Sequence, residues 1–241
     1  MNYQLPILLY HRIINTHSKI GKHKLYVHDK DFRMQMQFLK DHGYETITFK
    51  DIDTVTPEKK VILTFDDGYE DNYTILFPIL KEFGFTCVIY LVTKHTRNEW
   101  AIKEGEPELH MLSKERIREM SDYGIEFGGH TRTHIDLKNC KKEKLVDEIA
   151  GCKKDVEEIT GKSCISFAYP FGAHNEETLQ AVRDAGYKYG ISTIFGPANW
   201  KEDPMRIRRI EVRPSTSVSS FKRKVSGHYY EKNIYKLFSG K

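Results

Sequence analysis

Strand and helix signals alternate along nearly the whole chain, and that rhythm leaves few architectures open. Leu5 to Tyr10 is an apolar run of strand length. The spacing then predicts a helix from an N-cap at Asp29, with Phe32, Met36 and Leu39 on one face, to a stop at Gly43. Strands are expected over 44–49 and 61–65, followed by a helix through Tyr73, Leu76, Phe77 and Leu80 that stops at Gly84. Residues 85–92, rich in β-branched and aromatic side chains, read as a buried strand. Ser113 caps a short helix to Met120, 125–128 is a short strand, and Leu145, Ile149, Cys152, Val156 and Ile159 trace one face of a long helix ending at Gly161. A strand over 165–169, a helix over 176–185, strands over 187–192 and 208–212, and a weak helix over 217–225 complete the series. Repeated βα units predict an α/β fold with a mainly parallel sheet, open or closed into a barrel. Residues 13–28 and 93–112 break the rhythm and read as loops, the second carrying Trp100 and Pro107 and long enough to be functional. With no internal repeat or linker, a single domain over 1–241 is expected.

A hydrophobic fraction of 39% supports a packed core and excludes global disorder. The formal charge of +4 does not suggest a nucleic-acid partner. Basic residues do gather late, in Arg206 to Arg209, Arg213 and Lys222 to Lys224. A solvated face is the plain reading of them, and peripheral contact with an anionic membrane surface the sharper one. The four cysteines form no CxxC pair and fit reduced, packed thiols. No apolar run approaches the length of a membrane span, and the first residues lack a basic, cleavable leader. A cytoplasmic location, at most membrane-peripheral, is the expectation.

The chemistry gathers where strands end. Asp66-Asp67-Gly68 follows a predicted strand and, alone, is ordinary turn chemistry. His130 and His134 follow another, and in a chain with eleven histidines their spacing alone is weak. If the segment turned helically, the pair would face one way. Loops at the carboxyl ends of parallel strands converge on one face. Two imidazoles, one carboxylate ligand and a second carboxylate free as a base are what a hydrolytic metal site requires. The Tyr169-Pro-Phe-Gly172 loop follows a third strand, and a backbone N–H there could donate to an oxyanion. His11 follows the first strand and is a candidate proton donor. Tyr69, Trp100, Tyr169 and Trp200 are candidates for stacking on sugar rings, with packing an equal reading for each.

Thr64-Phe-Asp-Asp-Gly68, His130-Thr-Arg-Thr-His134 and Tyr169-Pro-Phe-Gly172, in that order, resemble the first three motifs of the NodB-type polysaccharide deacetylases, carbohydrate esterase family four. The likeness covers most of the chain and implies a distorted (β/α) barrel of the NodB type. It also implies a general base at Asp66, a metal held by Asp67, His130 and His134, and an oxyanion donor at the Phe171 N–H. Two positions depart from the family pattern. The family's third motif carries an arginine where this chain has Ala168, and a late Leu-x-His is missing. Instead Leu9-Tyr-His11 stands near the start, in a segment resembling the poly-N-acetylglucosamine deacetylase branch with its permuted motif order. That makes His11 the general acid, and Arg209 a replacement for the missing arginine. The resemblance implies a hydrolase that removes N-acetyl groups from an acetamido sugar, a polysaccharide or a lipid-linked glycan. Zinc is the expected metal, with cobalt, nickel or iron fitting the same ligands. A same-fold hydrolase of a cyclic amide or formamido group, and a non-catalytic carbohydrate-binding relative, are the alternatives.

Overall fold

Strand β1 (Ile7–Tyr10) hydrogen-bonds on both sides, and that single fact closes the sheet on itself. The computed structural model describes residues 4–196, 198–227 and 229. After β1 come β2 (Arg12–Ile14), β3 (Tyr26–His28), α1 (Asp29–Asp41), β4 (Glu45–Thr46), β5 (Lys60–Phe65), α2 (Phe77–Phe83) and β6 (Val88–Leu91). The short helix α3 (Glu99–Ile102), then α4 (Lys114–Tyr123), β7 (Glu126–Gly129), α5 (Lys142–Val146), α6 (Cys152–Thr160) and β8 (Ser166–Ala168) follow. The described chain ends with α7 (Glu176–Asp184), β9 (Tyr189–Phe195), β10 (Ile207–Glu211) and α8 (Val218–Lys224). Strands β1, β5, β6, β7, β8, β9 and β10 pair in that circular order, every pair parallel, giving a closed 7-strand barrel.

The period-two alternation of a strand sorts the side chains. Ile7, Ile62, Val88, Tyr90, Ala168, Tyr189, Ile191 and Ile207 fill the barrel. Leu8, Tyr10, Leu63, Phe65, Ile89, Leu91, Phe127 and Phe167 point outward, under the apolar faces of the helices. Most of the predicted elements stand close to their expected bounds. The capping residue of α1 differs: His28 occupies the N-cap without a side-chain bond, and Asp29 is the first helical residue. The strand expected over 44–49 shrinks to Glu45–Thr46, paired with the start of β5. The segment over 13–28 is more than a loop, because β2 and β3 pair in parallel as a small separate sheet. Likewise 93–112 contains α3 and the bridges Tyr69–Met111 and Arg97–His110. The long helix over 142–160 is broken by a π-helical segment, Asp147–Gly151, between α5 and α6.

Candidate active site

Asp66 continues the inward-facing row of β5, two residues beyond Thr64, and is 2% exposed. A lone carboxylate there would be costly to ionise. Arg209, on the inward row of β10, meets it with two parallel bonds, Nη1 to Oδ1 and Nη2 to Oδ2, each 2.7 Å. The guanidinium is itself fixed by Thr64 Oγ1 at 3.0 Å and the Ser192 carbonyl at 3.0 Å. The β10–β9 register shifts between Ile207 and Arg209, an irregularity of the kind that re-aims a side chain. Burial pushes the Asp66 pKa up. The charge and hydrogen bonds of Arg209, helped by His130 and His11, outweigh that and hold it below the usual carboxylate value. An arginine thus pairs with Asp66, supplied by β10 rather than by the position of Ala168.

Asp67 leaves the strand in a left-handed turn, with φ 77° followed by Gly68 at 82°. Its Oδ1 faces His130 Nε2 at 3.4 Å and His134 Nε2 at 3.2 Å. His130 follows β7, and its Nδ1 donates to the Ala168 carbonyl at 2.7 Å, so in the neutral ring the lone pair lies on Nε2. A Cβ at Gly128 would stand 2.4 Å from the Tyr90 ring and 2.8 Å from the Ser166 carbonyl, so this close approach requires glycine. The segment from His130 to His134 is not helical. Thr131 and His134 adopt φ of 66° and 55°, and the pair converges through that strained turn instead of through helical spacing.

The three side chains fit a divalent cation. Donors about 2.1 Å from a tetrahedral ion stand about 3.4 Å apart. Here the donor atoms of Asp67, His130 and His134 lie within 4.8 Å of one another, all in buried residues. Asp67 Oδ1 is buried and makes no hydrogen bond, so a carboxylate oxygen and imidazole nitrogens converge on one point. Burial pushes the Asp67 pKa up, but His130 and His134 hold it well below the usual range. Burial lowers the His134 pKa, whereas at His130 burial is outweighed by the Asp67 and Asp66 carboxylates, which raise it.

A cavity of about 560 Å³ opens over this cluster, lined by His11, Asp66, Asp67, His130, His134 and Phe171 among others. Every catalytic and ligand residue expected from the sequence except Arg209 therefore reaches one cavity, and Arg209 lies buried behind Asp66. Phe171 sits in a left-handed turn at φ 58°, its ring 58% exposed and edge-on to His134 at 4.8 Å. Trp100 and Tyr69 line the cavity, Trp100 stacking on the His134 ring at 4.5 Å. The other two aromatics do not: Tyr169 is buried with its hydroxyl on the Met205 carbonyl, and Trp200 packs on the barrel's interior cluster. Arg206 and Arg213 pair with Asp203 and Glu211, and Arg209 turns inward to Asp66, so these three arginines each face a carboxylate. No helix among the described residues is long and apolar enough to cross a membrane. Glu148 and Asp155, which brace the histidine turn, were invisible to the sequence reading, because nothing in a helix's spacing marks which exposed-looking acids reach back to a loop.

The polysaccharide deacetylase family model matches residues 53–190. YxkH of Bacillus subtilis is 34% identical over 224 residues, which cover 90% of this chain and 75% of that protein. The poly-β-1,6-N-acetyl-D-glucosamine N-deacetylase of Staphylococcus epidermidis is 28% identical over 200 residues, 77% of this chain and 68% of that protein. Among solved structures, the Streptococcus pyogenes deacetylase PplD, in complex with acetate, superposes with a TM-score of 0.81 at 27% identity, covering 94% of this chain and 100% of its own. The fold agrees with that solved structure, and the chain belongs to the polysaccharide deacetylase family, as a carbohydrate deacetylase.

Proposed function

We propose that the chain hydrolyses the acetamido group of an N-acetylglucosamine-containing glycan, with a divalent ion, zinc first among candidates, held by Asp67, His130 and His134. The observation that carries this reading is the division of labour between adjacent carboxylates. Asp67 faces two imidazoles, while Asp66 faces a guanidinium. An ion bound there supplies Lewis acidity for a carbonyl oxygen and brings the pKa of water to roughly neutral. Asp66, kept ionised by Arg209, takes the proton of the attacking water. Arg209 limits the basicity of Asp66 but, bound to both of its oxygens, fixes the plane of the carboxylate at the cavity wall. The Phe171 N–H, presented by its left-handed turn, donates to the developing oxyanion. His11, on the same cavity wall, protonates the departing sugar amine, a poor leaving group without a proton. The polymer named for the staphylococcal relative supports a β-1,6-linked substrate class.

The test is acetate release from a panel of N-acetylglucosamine oligomers by zinc-loaded protein, against chelated wild type and Asp66→Asn. Release abolished in both controls is the expected result. Release that survives chelation would overturn the role of the metal, and no release from any acetamido sugar would overturn the substrate class.

A further inference from the structure

We propose that Glu148 is a positioning residue for the metal site, holding the turn between the two ligand histidines in the shape that aims both imidazoles at Asp67. The inference rests on the metal-centre reading above. Glu148 lies on the π-helical segment Asp147–Gly151, where one extra residue per turn re-aims side chains, and such segments gather at functional sites. It is fully buried, which is unfavourable for a carboxylate unless its oxygens are satisfied. Three of its four hydrogen bonds go to the histidine turn. Oε2 accepts the N–H groups of Arg132 at 2.8 Å and Thr133 at 2.9 Å, and Oε1 accepts the Thr133 hydroxyl at 2.6 Å. Only the fourth, from Lys144 at 3.1 Å, stays on its own helix.

The turn requires such a hold. Thr131 and His134 are both left-handed non-glycine residues, a conformation that persists only where the surroundings over-determine it. The two N–H groups that Glu148 takes belong to the residues between them. Asp155 completes the brace, accepting Arg132 Nε and Nη2 at 2.9 Å each and the Thr93 hydroxyl at 2.7 Å. The two imidazoles are thus oriented by different means. His130 has its own carbonyl partner, whereas His134 Nδ1 is buried with none, so His134 depends on its backbone and on the rings around it. A group bonded directly to a ligand is worth about 10- to 100-fold in metal affinity, and Glu148, one step further out, is expected at the low end of that range.

The experiment measures the zinc dissociation constant by competition with a chromophoric chelator, and the visible absorption of the cobalt-loaded protein. Glu148→Ala is expected to bind zinc about 10-fold more weakly and to change the cobalt spectrum. Glu148→Gln, whose amide oxygen can still accept both N–H groups, is expected to stay within about threefold of wild type. Should Glu148→Ala not fold, Glu148→Met fills the same space without the carboxylate and takes its place. Wild-type affinity and spectrum in the folded Ala or Met variant would overturn the inference, as would a Gln variant as weak as Ala. Wild-type protein that binds no zinc would instead overturn the metal-centre reading, and this inference with it.

Discussion

Replacing Arg209 by methionine keeps apolar volume in the barrel and removes the charge opposite Asp66. Arg209 is fully buried and Asp66 nearly so, with side chains 0% and 3% exposed, and they share two bonds of 2.7 Å. Removing one member of such a pair leaves an uncompensated buried charge and costs about 3–5 kcal/mol, against under about 1 kcal/mol for an exposed pair. The sign of the pH dependence follows from the carboxylate. In the wild type the folded Asp66 pKa is depressed, so its contribution is present above the unfolded value and fades as pH falls through the folded one. In the variant, burial is no longer opposed by its main partner, so the folded pKa rises above the unfolded one. The contribution then survives at low pH and is lost as pH climbs through the folded value. Urea denaturation of chelated protein at about pH 5 and about pH 8 reads this directly. Arg209→Met should lose about 3–5 kcal/mol at the higher pH and visibly less at the lower. Asp66→Asn in the Met background should recover part of the loss, closing a double-mutant cycle with a clear coupling energy. A pH-independent loss under about 1 kcal/mol would refute the claim that Arg209 holds a buried charge in place.

His11→Ala should lower kcat by about 10²- to 10⁴-fold while zinc content, measured by elemental analysis, stays at the wild-type level; a parallel loss of zinc would make His11 a site-building residue instead. Gly172→Ala places a Cβ 2.0 Å from Thr193 Oγ1 at a φ of 67°, and should lower both Tm and turnover by distorting the Phe171 turn. An unchanged Tm would show that the turn tolerates a side chain. With Trp200 replaced by phenylalanine, cobalt loading should quench the remaining tryptophan fluorescence, because Trp100 stacks on His134 at 4.5 Å. Quenching equal to that of a Trp100→Phe protein would refute the stacking.

The barrel was legible in the sequence because its signals are local. An apolar run, a cap and a glycine stop each act over a few residues, and their alternation admits little besides a parallel sheet. The Asp67, His130 and His134 cluster was legible for the same reason, because it lies in two loops that follow strands. Two kinds of feature were not. Strands β2 and β3, three residues each, are too short to show a period, and their pairing is set by tertiary contact. The brace on the histidine turn depends on a π-helical segment, which leaves the apolar spacing of Leu145, Ile149 and Cys152 looking like ordinary α-helix. Arg209 lies between these cases. That some arginine from residues 206–213 should approach Asp66 could be inferred from the gap at Ala168. Which one was settled by the period-two alternation of β10, combined with an irregular register no sequence pattern announces.

The closure of the barrel on β1 also orders events in time. Residues 7–10 cannot gain their second neighbour until residues 207–211 arrive, so the last seam joins segments nearly a whole chain apart. Contacts of such separation form late, after the entropy of a very large loop has been spent. Asp66 and Arg209 are 143 positions apart, and they meet inside the barrel from β5 and β10, the two strands that flank β1. Pulse-labelled hydrogen exchange during refolding should therefore show β10 amides protected after those of β5 and β6, and simultaneous protection would contradict this order. During synthesis Asp66 and the Asp67, His130 and His134 cluster therefore leave the ribosome well before Arg209, and Asp66 gains its counter-charge only when β10 arrives.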